Sequence, residues 1–181
     1  MTEKEKMLAG LQFDPADPAL RAMRNACYAL LDQLNRISNS DKPARARILQ
    51  QLCGAVGRNI NIKSMFQCDY GSNIFIGDDV FINYNCVFSD CGRITIGDRT
   101  LIGPQVGIYA VNHPLDAAER ATGRETGIGV TIGADCWIGG HATINPGVTL
   151  GDRVVVASGA VVTHSFPDDV LIGGVPARVL R

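Results

Sequence analysis

The chain has 181 residues, a net charge of −1, 20 glycines and only 6% aromatic side chains. A balance so close to neutral argues against a nucleic acid or other polyanion as partner. No stretch reaches the ~20 consecutive apolar residues of a membrane helix, and the charged start Thr2-Glu3-Lys4-Glu5-Lys6 does not read as a secretory leader.

The first sixty residues carry helical spacing. Leu20, Met23, Cys27, Leu30, Leu31 and Leu34 recur on one helix face, Pro18 suits a first turn, and Asn35 closes the run. A second helix is predicted over Pro43–Cys53, with Ile48, Leu49 and Leu52 apolar and Gly54 as the stop. Two short polar helices do not make a core alone. They are expected to form a cap, residues 1–58, over the open edge of the remaining chain.

That remainder has a six-residue beat. Ile76, Ile82 and Phe88 are six apart, with Val80 and Cys86 at the fourth positions between them. Ile96, Ile102 and Ile108 repeat the pattern with Thr100 and Val106, after a two-residue insertion near Asp90-Cys91-Gly92. The longest run is Ile132, Ile138, Ile144, Leu150, Val156 and Val162, with Cys136, Ala142, Val148, Val154 and Ala160 between. Neither the 3.6-residue period of a helix nor the 2-residue period of a strand fits this. A coil of short strands joined by tight turns does, each beat driving one side chain into a shared interior. Such hexads predict an all-β parallel β-helix over 59–181. From Ile108 to Ile132 the beat disappears but returns in phase, so residues 109–129 are an inserted loop leaving one corner of the coil. Long loops in compact domains usually carry function.

The six cysteines (27, 53, 68, 86, 91 and 136) include no C-x-x-C pair, and two occupy interior beats. They read as free thiols in a reducing cytoplasm. No regular array of threonines, the mark of an ice-binding or scaffold surface, stands out.

Several segments carry a family likeness: Asn112-His113-Pro114-Leu115-Asp116, Trp137-Ile138-Gly139-Gly140, Ile144-Asn145-Pro146-Gly147-Val148 and Gly174-Val175-Pro176-Ala177-Arg178. Together they resemble the maltose, galactoside and nodulation-factor O-acetyltransferases. Glu3-Lys4-Glu5-Lys6-Met7-Leu8-Ala9-Gly10 and Cys68-Asp69-Tyr70-Gly71-Ser72-Asn73-Ile74 resemble the maltose branch in particular. The resemblance implies a left-handed β-helix that assembles as a homotrimer with active sites between subunits. It also implies transfer of acetyl from acetyl-CoA to a sugar hydroxyl, without a metal.

A sugar hydroxyl is a weak nucleophile, so the transfer needs a base, typically contributing ~10²–10⁴-fold. His113, in the non-repeating excursion, suits that role and matches the family's base. Glu125, on the returning arm, is placed to orient the imidazole and stabilise the imidazolium. The resemblance gives Asn83 to the acceptor and the oxyanion. It gives Arg24 and Asp90 to acceptor hydroxyls. The galactoside enzymes have acceptor aspartates where this chain has Pro15, flanked by Asp14 and Asp17, and Cys91, beside Asp90. Donor positions fall on Gly140, Ser158, Thr163, His164, Arg178 and Arg181, the arginines being apt for CoA phosphates. Thr163-His164-Ser165 replaces the family's threonine-lysine-aspartate.

Two other readings compete. Trimeric β-helices also host zinc carbonic anhydrases, which need clustered histidines, and this chain has only His113, His141 and His164. A non-catalytic scaffold is the second.

Overall fold

A computed structural model describes residues 1–181. The expected parallel β-helix is what the hexads build. Three sheets wrap one interior. The first face stacks strands Ala55–Val56, Ile74–Ile76, Ile94–Ile96, Val130–Ile132 and Thr149–Leu150. The second stacks Asn61–Ile62, Phe81–Ile82, Leu101–Ile102, Trp137–Ile138, Val155–Val156 and the C-terminal hairpin Leu171–Gly174/Ala177–Val179. The third stacks Gln67–Cys68, Val87–Ser89, Gly107–Tyr109, Thr143–Ile144 and Val161–Val162. Within the coil all pairings are parallel, and each beat lands on the equivalent beat of the next turn. Ile76, Ile96, Ile132 and Leu150 form one interior column, and Ile82, Ile102, Ile138 and Val156 another. All eight are buried. Burial of these branched side chains drives the coil.

Tight corners demand left-handed backbone. Between the first and second faces Asn59, Asp79, Arg99, Asp135, Arg153 and Asp169 all have positive φ. Carboxylates satisfy the corner N–H groups: Asp78 accepts from Arg58 N at 2.8 Å, and Asp98 from Asp78 N at 2.8 Å. The intermediate corner position Thr100 is fully buried, but its hydroxyl donates to the Gly133 carbonyl at 2.9 Å and accepts from Cys136 N at 3.1 Å. The first face carries Thr95, Thr131 and Thr149 in register on its outer side, a short threonine column that the hexad reading does not reveal.

The cap consists of α1 (Glu3–Leu8), α2 (Pro18–Arg36) and α3 (Lys42–Leu52). The latter two agree with expectation within two residues at each end. The first was not expected, although Thr2 and Glu5 spell a capping box that is formed in full. The first strand of the coil is Ala55–Val56, where Ala55 pairs with Phe75. The cap closes the bottom edge by imitating another turn. Asn35 donates to the Phe66 carbonyl at 2.9 Å and accepts from Phe66 N at 3.2 Å. Arg45, only 4% exposed, donates to the Leu34, Ile37 and Ile62 carbonyls, the last on the open strand. Every such bond removes an edge group that would otherwise seek another chain.

The excursion leaves the corner between the third and first faces, as the phase of the beat requires. It is a hairpin, not a featureless loop: Val111–Asn112 pairs antiparallel with Glu125–Gly127 across a tip containing α4 (Ala117–Arg120). A third strand joins from the cap, since Gln12–Phe13 pairs with Glu125–Thr126. Beneath lies a second small core of Met7, Phe13, Leu20, Tyr70 and Cys91. No helix is long and apolar enough to cross a membrane.

Candidate active site

Where the arm meets the coil and the cap, a pocket of about 350 Å³ opens, lined by Pro15, Arg24, Tyr28, Asp69, Tyr70, Ser89, Cys91, Val111, His113 and Glu125. A larger cleft of about 680 Å³ lies between α3 and the first turn, but no histidine, cysteine or carboxylate lines it. Chemistry therefore points to the smaller one.

The two arm strands present His113 and Glu125 toward each other. His113 Nε2 stands 4.0 Å from Glu125 Oε1, within charge-pair reach and longer than a hydrogen bond. The imidazole is half exposed and the carboxylate largely covered. Burial raises the Glu125 pKa above the usual carboxylate range, and His113 opposes that rise. The carboxylate's other oxygen, Oε2, accepts from Cys91 Sγ at 3.6 Å.

The opposite wall is built by α2 and the coil corner. Arg24 is held rigidly: Nη1 donates to the Tyr70 hydroxyl at 2.7 Å and Nη2 to the Pro15 carbonyl at 2.6 Å. Asp69 faces the same space with its pKa raised by burial, Ser89 and Arg24 acting against the shift. Arg24, Asp69, Ser89 and Tyr28 can together meet a polyhydroxylated ligand, while Tyr70 and Val111 supply apolar wall.

Three of the residues assigned to the acceptor lie elsewhere. Asp90 is wholly buried, its Oδ1 accepting from Asp69 N at 2.9 Å and Tyr70 N at 2.8 Å, and its Oδ2 from Asn73 N at 3.4 Å. Burial pushes its pKa up to about 6 against those donors. It moulds the turn that carries Asp69 and Tyr70 and is out of a ligand's reach. Asp17 caps α2 through Ala19 N at 2.9 Å and Leu20 N at 3.2 Å. Asp14 accepts from Ala16 N at 2.8 Å, an Asx-turn. Neither lines the pocket; Pro15 between them does, through its carbonyl.

The remaining residues divide between prism edges. Asn83 follows strand Phe81–Ile82 at the corner between the second and third faces, where its side chain accepts from Tyr84 N at 2.9 Å. Its backbone is not left-handed, whereas Asn85 has φ 60°, so the corner turn accounts for Asn85 and not for Asn83. Gly140 and Ser158 stack on that same corner in later turns, with Gly159 N bonded to the Gly140 carbonyl at 2.9 Å. Thr163 and His164 lie instead on the edge that carries the arm, exposed, with the His164 ring 4.4 Å from that of Phe166. Arg178 and Arg181 belong to the C-terminal hairpin. That tail is tied down, Leu171 N donating to the Arg181 carbonyl at 2.9 Å, and neither guanidinium meets a carboxylate. His113, His141 and His164 stand on separate turns, and the chain brings together no group of three His, Cys, Asp or Glu side chains suited to a metal.

Sequence reasoning missed Asp69, Ser89, Tyr28 and Tyr70. One signal was available. Asp69 and Ser89 each come directly after an interior beat, Cys68 and Phe88, and those beats pair across neighbouring turns, so the two polar residues stack at the arm's corner.

Comparison with known proteins agrees with this architecture. Residues 6–57 match the family model of the maltose acetyltransferase hexapeptide capping motif, and 129–164 match that of the bacterial transferase hexapeptide, six repeats. The galactoside O-acetyltransferase of Escherichia coli is 35% identical over 100% of this chain and 89% of its own length. A crystal structure of a maltose O-acetyltransferase from Clostridium difficile superposes with a TM-score of 0.98 at 43% identity, covering 100% of this chain and 97% of that one. A hexapeptide-repeat acetyltransferase of Vibrio cholerae, solved with acetyl coenzyme A, gives a TM-score of 0.94 at 41% identity over 100% and 98%. Likeness of that extent, running from the capping segment to the last strand, makes this chain a member of the maltose and galactoside O-acetyltransferase family of hexapeptide-repeat enzymes.

Proposed function

We propose that the chain moves acetyl from acetyl-CoA to a hydroxyl of a sugar such as glucose, maltose or a galactoside, with His113 as the general base. The observation that carries this reading is the His113–Glu125 pair at 4.0 Å on the wall of a polar pocket. In the proposed step His113 Nε2 takes the hydroxyl proton as the oxygen attacks the thioester carbonyl. The tetrahedral oxyanion then collapses, the C–S bond breaks, and the imidazolium returns the proton to the CoA sulfur. Glu125 stabilises that imidazolium, and a largely covered carboxylate does so more strongly than a solvated one. Arg24 and Asp69 hold acceptor hydroxyls, one as fixed donor and one as acceptor.

Asn83, Gly140 and Ser158 on one edge and His113, Thr163 and His164 on another cannot serve one substrate within one prism. They can if copies pack edge to edge, which supports a homotrimer with sites between subunits: Asn83 for the oxyanion, Gly140, Ser158, Thr163 and His164 along the pantetheine arm, Arg178 and Arg181 at the phosphates. Six buried free thiols suit a reducing cytoplasm.

Thiol release from acetyl-CoA, measured with a panel of glucose, maltose and galactosides, tests the reading. His113→Ala should lower turnover by about 10²–10⁴-fold. Undiminished turnover in that variant would overturn the assignment, and a monomer at active concentrations would overturn the shared site.

A further inference from the structure

We propose that Cys91 is a positioning residue for this reaction: its buried thiol holds Oε2 of Glu125 and thereby aims Oε1 at His113. The inference rests on the reading of His113 as base and Glu125 as its orienting group. Three observations support it. Cys91 Sγ lies 3.6 Å from Glu125 Oε2, and no other protein donor reaches that carboxylate, although burial makes an unpartnered one costly. The thiol itself is fixed. Cys91 is 5% exposed, packed with Met7, Phe13, Leu20 and Tyr70 in the second core, on the turn after strand Val87–Ser89. Finally, that turn and the arm are in direct contact, since a Cβ on Gly127, two residues beyond Glu125, would stand 2.8 Å from the Cys91 carbonyl. The carboxylate's own strand thus packs directly on the turn that carries the sulfur.

The protonation state agrees. Burial, with the Glu125, Asp69 and Asp90 charges nearby, drives the Cys91 pKa far upward, so the group remains S–H and donates at any working pH. It is correspondingly inert as a nucleophile or metal ligand. Residue 91, on the pocket wall, therefore serves the reaction through Glu125.

A double-mutant cycle tests this, using the purified full chain, acetyl-CoA and the best acceptor of the panel. Cys91→Ala should lower kcat about tenfold, the scale of losing one weak donor to a charged group, with the KM for acetyl-CoA unchanged. Cys91→Ser, which restores a donor, should recover most of that loss. Placed in a Glu125→Gln background, Cys91→Ala should cost nothing further. Full activity in Cys91→Ala would overturn the inference, as would a second loss of equal size in the Glu125→Gln background. Failure of the underlying reading appears separately, as turnover surviving His113→Ala. If Glu125→Gln is fully active while Cys91→Ala is not, the thiol acts by another route and the inference falls. Should Cys91→Ala unfold, Cys91→Val keeps the bulk without the donor and takes its place in the cycle.

Discussion

Phe13 lies directly opposite Glu125 in an antiparallel strand pairing, and its ring is fully buried with Met7, Leu20, Tyr70 and Cys91. The capping segment therefore does more than seal the bottom of the coil. It contributes Pro15, Arg24 and Tyr28 to the pocket, and its one strand fixes the height of the carboxylate that faces His113.

Phe13→Ala probes that pairing. Emptying a buried aromatic site costs roughly 3–5 kcal/mol, and the arm strand loses its support. The expected outcome is a lower urea midpoint together with a reduced kcat, while the KM for acetyl-CoA is retained. A destabilised variant with unaltered kcat would show that the second core does not position Glu125.

Tyr70→Phe removes one hydroxyl, the acceptor for Arg24 Nη1 at 2.7 Å. The guanidinium keeps its bond to the Pro15 carbonyl but loses its angular restraint. Acceptor KM should rise severalfold with acetyl-CoA KM unchanged, and stability should fall by about 1 kcal/mol. Steady-state kinetics with each substrate varied in turn separates the two.

Arg45→Met tests the cap as an edge-closing device. It would leave the Leu34 and Ile62 carbonyls, both buried, and the partly covered Ile37 carbonyl without their charged donor. Replacing one side of such a site costs roughly 2–4 kcal/mol. Chemical denaturation should show that loss, and kcat at low temperature should survive, because Arg45 lies outside the pocket.

Asp90 predicts a pH dependence of stability. Its folded pKa is raised from 3.8 to about 6, so folding favours the protonated acid. The contribution is fully present below pH ~4 and is lost as pH rises through about 6, amounting to roughly 3 kcal/mol. Asp69 and Glu125 shift upward as well and act in the same sense. Asp78, Asp135 and Asp169 are lowered by their arginine partners, so their effect is confined to pH below the usual carboxylate range. Urea midpoints should therefore fall between pH 4.5 and 6.5, and Asp90→Asn should flatten the decline. An unchanged slope in that variant would assign the effect to other groups.

Much of the coil was legible. An isoleucine six residues after another sits one face further round a three-sided prism and points inward again, so Ile132, Ile138 and Ile144 declared themselves interior. The site was legible only in part. His113 was visible as the one histidine in the span without a beat, and the family likeness singled out Glu125 among that span's carboxylates, but Asp90 and Asp69 exchanged roles. Both carboxylates belong to the arm's corner. Three N–H groups converge on the first and none on the second, and that difference is set by how consecutive turns stack, which spacing does not encode.

The sequence by itself determined the β-helix, the two longer cap helices, the departure and return of the arm, and a set of free thiols without a C-x-x-C pair. Those features depend on periodicity and local backbone preference, which act over a few residues. Tertiary structure alone decided that strand Gln12–Phe13 would join the arm more than a hundred residues away. It also decided which corner carboxylate reaches solvent and which sulfur meets Glu125. Such contacts arise between turns of a coil, where position in space is set by the sum of all preceding turns and cannot be read from any one of them.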